Sequence, residues 1–263
     1  MDNPNIISIN TMGGLGNVLF QVAVCYSISI RDNMTPIIDS TNHYGAHHGI
    51  QRYTGNILRN FQFTETPLNL EGHGEGGHHY VEIPILNNST KLHGYFQSEK
   101  YFSKYRKQIL EIFSPTDIII NNLNEKYGNV LKGNVNSLHI RRGDYVGLPN
   151  HHPLTPIDYY KESVKMLGDD SVYLIFSDDI NWCKENLNFI KNKFFVDNLY
   201  DYEEIYLMSL CDNNIIANST FSWWGAWLNQ NPNKKVISPK IWFGDALHHN
   251  ITSDIYCDGW VKL

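Results

Sequence analysis

The feature that most narrows the possible folds is a rhythm in the second half of the chain. Short runs read as strands at Val135 to Ile140, Ser171 to Phe176, Lys193 to Val196, Asn214 to Ala217 and Lys235 to Ile237. Between them, apolar residues at helical spacing predict helices around Ile157 to Leu167, Ile180 to Asn186, Tyr202 to Leu210 and Trp224 to Asn229. Strands separated by helices of this length predict an α/β domain whose parallel sheet is covered on both faces. Ligands of such sheets sit beyond the carboxyl ends of the strands.

The first half opens on the same unit. Asn5 to Asn10 reads as a buried strand, the chain breaks at Gly13-Gly14-Leu15-Gly16, and Leu19, Phe20, Ala23, Val24 and Ile28 then recur at helical spacing. From Thr41 to His79 the sequence is rich in Gly, His, Asn and aromatic residues with weak periodicity, which predicts long loops or short helices lining a cleft. Tyr95 to Phe113 reads as helical. The polar stretch Ile118 to Asn136, after Ser114-Pro115, is the candidate junction, giving two domains at residues 1–130 and 131–263.

Composition excludes several classes. With 42% hydrophobic residues over 263 positions the chain can bury a core, so disorder is excluded. A net charge of -6 disfavours nucleic acid as a bulk electrostatic partner. No apolar run reaches the roughly 20 residues of a membrane span, and the N-terminal Met1 to Pro4 does not resemble the start of a signal peptide. A cytoplasmic location is therefore expected. Cys25, Cys183, Cys211 and Cys257 are scattered without a CxxC pattern, as expected of reduced thiols.

Three polar clusters each follow a strand of the second half: His139-Ile140-Arg141-Arg142-Gly143-Asp144-Tyr145, then Ser177-Asp178-Asp179, then Asn218-Ser219-Thr220-Phe221-Ser222-Trp223-Trp224. Together they describe one site. Adjacent arginines present planar forks to phosphate oxygens and can neutralise a diphosphate as it departs. Asp144 can buttress a guanidinium, and Asp178-Asp179 also suits the cap of the helix at Ile180. Ser219, Thr220 and Ser222 offer hydroxyls at a helix amino end, an anion cradle or a cap. Trp223, Trp224 and Trp227 read as core, although one could stack on a sugar.

Other chemistries fit less well. Gly14 and Gly16 give G-x-G, but Leu19 occupies the third position of a dinucleotide fingerprint, and Asp39 is the nearest acid. The histidine pairs 47–48, 78–79, 151–152 and 248–249 lack the HExxH spacing, and no Asp-x-Asp occurs, so no metal is expected. His151 and His152 lie close enough in sequence to the arginines to contact an acceptor.

Gly13-Gly14-Leu15-Gly16-Asn17 with Phe20-Gln21, the H-I-R-R-G-D-Y run at 139–145, F-S-D-D at 176–179 and N-S-T-F-S-W-W-G-A-W-L at 218–228 resemble the α-1,2-fucosyltransferases, glycosyltransferase family 11. The arginine motif is shared with α-1,6- and protein O-fucosyltransferases, and the STFSWW run narrows the resemblance to the α-1,2 group. It implies a GT-B-like fold of two facing Rossmann-type domains, with inverting, metal-independent transfer of L-fucose from GDP-fucose to a glycan acceptor, typically O-2 of a galactose. The alternatives are the same fold transferring another GDP-linked sugar, such as L-galactose or a different deoxyhexose, and a non-catalytic carbohydrate-binding relative. By motif position, catalysis would rest on Arg141, Asp144 and His139. The donor would be held by Gly14, Gly16, Asn17, Arg142, Ser177, Asp178, Asp179, Asn218, Ser219, Thr220 and Ser222, with Glu204 reading guanine. His151, His152 and Trp223 would face the acceptor. Val18 and Val22 stand where the family commonly carries Gln and Tyr, a departure that bears on acceptor specificity.

Overall fold

The computed structural model describes residues 5–44 and 49–263, with backbone alone at 42–44. Met1 to Pro4 and the His47-His48 pair lie outside the described residues. The chain forms two compact units, Met1–Pro115 with Asn250–Cys257, and Thr116–His249 with Asp258–Leu263.

The first unit contains strands β1 (Ile6–Met12), β2 (Thr35–Tyr44), β3 (Gln62–Thr64), β4 (Glu71–Gly74) and β5 (Thr90–His93), with helices α1 (Leu15–Asp32) and α2 (Arg106–Ile112). The strands form a sheet in the order β3-β2-β1-β5-β4, parallel at every pairing. Central β1 buries Ile7 and Ile9 on opposite neighbours of buried Ser8, as expected of a strand covered on both faces. Helix α1 buries Val18, Leu19, Phe20, Val22, Ala23 and Val24, and it ends at Asn33 in the left-handed conformation that Asn tolerates. Gln21 clamps the end of β1 by accepting from Met12 N–H at 3.0 Å and donating to Met12 C=O at 3.2 Å.

The expected loops from Thr41 to His79 therefore contain two strands. Their sequences, Gln-Phe-Thr and Glu-Gly-His-Gly, carry almost no intrinsic strand signal. Pairing with β2 and β5 imposes the strand conformation on them. Tyr95 to Phe113 is helical only in its second half, where α2 follows two short 3-10 turns.

The second unit contains α3 (Asp117–Tyr127), β6 (Val135–Ile140), α4 (Ile157–Leu167), β7 (Val172–Ser177), α5 (Ile180–Asn186), β8 (Lys193–Phe195), α6 (Asp201–Ser209), β9 (Asn213–Ile215), α7 (Thr220–Leu228), β10 (Val236–Ser238) and β11 (Val261–Lys262). Its parallel sheet runs β11-β10-β9-β6-β7-β8, and every residue of β6 is buried. The expected rhythm is present. The boundary between units, however, falls upstream of the polar stretch: Thr116 caps α3, whose Ile119, Leu123 and Tyr127 recur every fourth residue and turn inward.

Inside the first unit, Lys91 of β5 reaches Asp39 of β2 at 2.6 Å, with both side chains withdrawn from solvent. Burial pushes the Asp39 carboxyl up, but Lys91, Thr41 and the Leu68 N–H outweigh it and hold the group at about 2. Truncating one member leaves the other buried and uncompensated, which costs about 3 kcal/mol or more. Lys91→Met should lower the melting temperature accordingly. The stabilisation carried by Asp39 should be complete above about pH 4 and disappear as pH falls toward 2, measurable by acid denaturation of the native chain against the variant.

Candidate active site

Strands β6 and β7 pair in parallel with Ile140 opposite Ser177, so the residues following each strand emerge side by side. This register brings the first two polar clusters together. Arg141 Nη1 lies 2.9 Å from Asp178 Oδ2, and its Nη2 lies 2.5 Å from Asp144 Oδ1. Arg142 donates from Nε to Asp179 Oδ2 at 3.0 Å and from its backbone N–H to Asp178 Oδ1 at 2.9 Å. Its guanidinium lies over the Trp182 ring, 4.2 Å from the centroid.

Gly143 makes this approach possible. A Cβ built there would stand 2.5 Å from Asp178 Oδ2. Asp179 holds both ends of its own turn: its N–H donates to Ser177 Oγ at 3.0 Å, and its Oδ1 accepts from the Trp182 N–H at 3.1 Å, capping α5. Arg142 first, and then the Trp182 N–H, keep its carboxyl below the ordinary range. The Asp pair thus caps a helix and fixes two guanidinium groups at once.

His139 is buried on β6 beside Phe221, with ring centroids 5.4 Å apart, and its Nδ1 has no hydrogen-bond partner. Burial and then the Arg141 charge push its pKa down to about 3, so the ring is neutral at physiological pH. Tyr145 passes beneath Arg141, donates its hydroxyl to Asn218 C=O at 3.2 Å and stacks on His152 at 4.7 Å. His152 is also flanked by Phe243, and burial lowers its pKa, whereas His151 is exposed.

The third cluster builds the start of α7. Ser219 caps the helix by accepting from the Phe221 N–H at 3.4 Å, and the buried Ser222 donates to Ser219 C=O at 3.3 Å. The helix accordingly starts at Thr220, four residues before the expected Trp224. Asn218 donates to Pro153 C=O and Trp242 C=O and accepts from the Thr155 hydroxyl, so its side chain ties two loops together. Trp223 is corrected by the structure. It is fully buried among Trp224, Trp227 and Trp260, so its ring forms core and offers no face to an acceptor. Glu204 lies on the first turn of α6, close enough to Asp178 and Asp201 to feel both charges; burial chiefly, and those two carboxylates next, push it up to about 8.

In the first unit, the glycine loop leads from β1 into α1. Gly13 has φ +77 and would place a Cβ 2.3 Å from Asn17 Nδ2, so both conformation and packing require glycine there. Gly14 begins α1 without a side-chain cap, and Gly16 is buried within the first turn. Asn17 accepts from Gln97 Nε2 at 3.0 Å. Nothing in Tyr-Phe-Gln-Ser marks Gln97, because a polar residue there gives no hint of its long-range partner. Asp39, the acid nearest a dinucleotide fingerprint, lies on β2 and is paired with Lys91.

Gly143→Ala should force Asp178 away from both arginines and lower stability by roughly 1–3 kcal/mol. Gly147→Ala, where an added Cβ meets nothing within 4 Å, should leave the melting temperature nearly unchanged. Equal melting temperatures for the two variants would contradict the packing described.

The family model for Glycosyl transferase family 11 matches residues 71–263. The O-antigen biosynthesis glycosyltransferase WbnK of Escherichia coli is 38% identical over 191 residues, covering 68% of this chain and 62% of that protein. An Escherichia coli protein named alpha-1,2-colitosyltransferase is 31% identical over 272 residues, covering 91% of this chain and 93% of its own length. Among solved structures, the fucosyltransferase NodZ from Bradyrhizobium aligns over 86% of this chain and 93% of that chain with a TM-score of 0.58 at 12% identity, a likeness of fold. The two α/β units with parallel sheets are accordingly of the GT-B-like class, and the chain belongs to glycosyltransferase family 11.

Proposed function

We propose that the chain transfers L-fucose from GDP-β-L-fucose to O-2 of a galactose in a glycan acceptor, with inversion and without a metal ion. The observation that carries this reading is the pair of arginines held at the end of β6 by three carboxylates. The acceptor hydroxyl attacks the anomeric carbon from the face opposite the diphosphate. The bond to GDP lengthens as the new bond forms and the hydroxyl proton passes to water, turning the β-linked donor into an α-linked product. Negative charge gathers on the departing phosphate oxygens, where preorganised guanidinium groups act most strongly.

In this reading Arg141 and Arg142 face the diphosphate, and Asp144, Asp178 and Asp179 hold them in place. The phosphates also meet the amino end of α7 at Ser219 and Thr220, while Ser222 and Asn218 shape that end from within. Neutral His139 lies toward the nucleoside. Gly14, Gly16 and Asn17 are the donor contacts assigned to the first unit, and exposed His151 with its neighbour His152 is assigned to the acceptor. Glu204 reads guanine, whose two adjacent N–H groups suit a carboxylate.

A second reading keeps the mechanism and changes the sugar to another GDP-linked deoxyhexose. The nearly full-length match, at 31% identity, to a protein named for colitosyl transfer favours it. Mass and linkage analysis of products from a β-galactoside with GDP-fucose or GDP-colitose separates the two: the first predicts α-1,2-fucosylated product at the higher kcat/KM. Failure to release GDP with any β-galactoside would overturn both.

Because Glu204 sits at about 8 and would bind guanine as the anion, GDP binding should release a proton below that pH. Affinity should rise about tenfold per pH unit as pH increases toward 8 and then level off. Calorimetry in two buffers of different ionisation heat reads the proton directly, and Glu204→Gln should abolish this component.

A further inference from the structure

Two side-chain amide oxygens at the carboxyl end of the first unit's sheet are buried with no hydrogen-bond partner: Asn10 Oδ1 on β1 and Gln97 Oε1 in the segment after β5. Leaving a buried acceptor unpaired is costly, and native proteins tolerate it mainly where a ligand or water completes the bond. Both amides are fixed by their other ends. Asn10 Nδ2 bonds His93 Nδ1 at 3.1 Å, and Gln97 Nε2 donates to Asn17 Oδ1 at 3.0 Å.

Gln97 itself is 7% exposed and stands beside the first turn of α1, which has no side-chain cap. Its segment is held independently. Glu75 accepts from the Tyr95 N–H at 2.7 Å and the Phe96 N–H at 2.9 Å, locking a turn in which Phe96 has φ +52. Gly14 adds a third observation. Its φ of -74 suits any residue, and an added Cβ would meet nothing within 4 Å, so neither conformation nor packing within the chain demands glycine. Glycine is a favoured N-cap residue, and without a side chain it also leaves the first turn of α1 open to a bound group.

We propose that Gln97, with Asn10, forms a sugar-hydroxyl subsite beside the glycine loop, and that Gln97 also positions the Asn17 amide. The chemistry of the ligand follows from the unpaired atoms. An amide oxygen repels a phosphate oxygen and attracts an O–H donor, so the group recognised is a sugar hydroxyl and not the diphosphate. That hydroxyl belongs either to the donor's deoxyhexose or to the acceptor glycan. The inference rests on the glycosyl-transfer reading above.

The test compares the wild-type chain with Gln97→Met, which keeps the length of the side chain and removes both amide atoms. Gln97→Asn, which retains the amide but shortens its reach, serves if the first variant fails to fold. The variant should bind GDP within about twofold of wild type while kcat/KM for transfer falls about tenfold or more. A higher acceptor KM assigns the hydroxyl to the acceptor. Weaker GDP-fucose binding at unchanged GDP binding assigns it to the donor sugar. Wild-type kcat/KM in the variant, or GDP affinity falling in step with transfer, would overturn the subsite. Absence of GDP binding by the wild-type chain would instead overturn the donor reading, and this inference with it.

Discussion

Two guanidinium groups on adjacent residues repel each other, and Arg141 and Arg142 are only partly exposed to the water that would screen them. The second unit resolves this with carboxylates supplied by the neighbouring strand. Asp178 and Asp179 follow β7 as Arg141 and Arg142 follow β6, and the parallel register aligns the two pairs. Everything else at the site is arranged around that register. Gly143 lacks the Cβ that would block Asp178, Trp182 carries the Arg142 fork, and Asp144 closes on Arg141 from the same turn.

The arrangement suits the diphosphate role proposed for the arginines. Each fork is oriented by carboxylates before any ligand arrives, so little reorganisation remains for the transition state. The carboxylates also keep the site's charge close to balanced in the empty protein. In the proposed function, arriving phosphate oxygens meet N–H donors whose directions are already set. Buried neutral His139 and the capped amino end of α7 add fixed dipoles to the same end of the sheet.

Much of this was readable from residue order, and the reasons for the remainder are physical. The strands and helices from Val135 to Ile237 announced themselves because a sheet covered on both faces demands apolar runs and its crossovers demand amphipathic helices. Strands β3, β4 and β5 did not, because Gln-Phe-Thr, Glu-Gly-His-Gly and Thr-Lys-Leu-His take their conformation from neighbours. Helix α3 was hidden by polar residues around three apolar ones spaced by four. At the site, the motif residues could be gathered from their positions after strands, but the division of labour could not. Asn218 and Ser222 carry the same chemical groups as ligand contacts yet point inward, and Trp223 is core. Gln97 became visible only through its bond to Asn17, eighty residues away in sequence.

The central claim is that the carboxylate-held arginines act mainly on the departing diphosphate. It is tested most directly by single-turnover transfer from GDP-fucose with saturating acceptor, wild type against Arg141→Ala, with GDP-fucose affinity measured alongside. The account predicts that the chemical rate falls by several orders of magnitude while affinity falls far less, since the interaction strengthens as the bond breaks. A variant that loses affinity and keeps its single-turnover rate would contradict it.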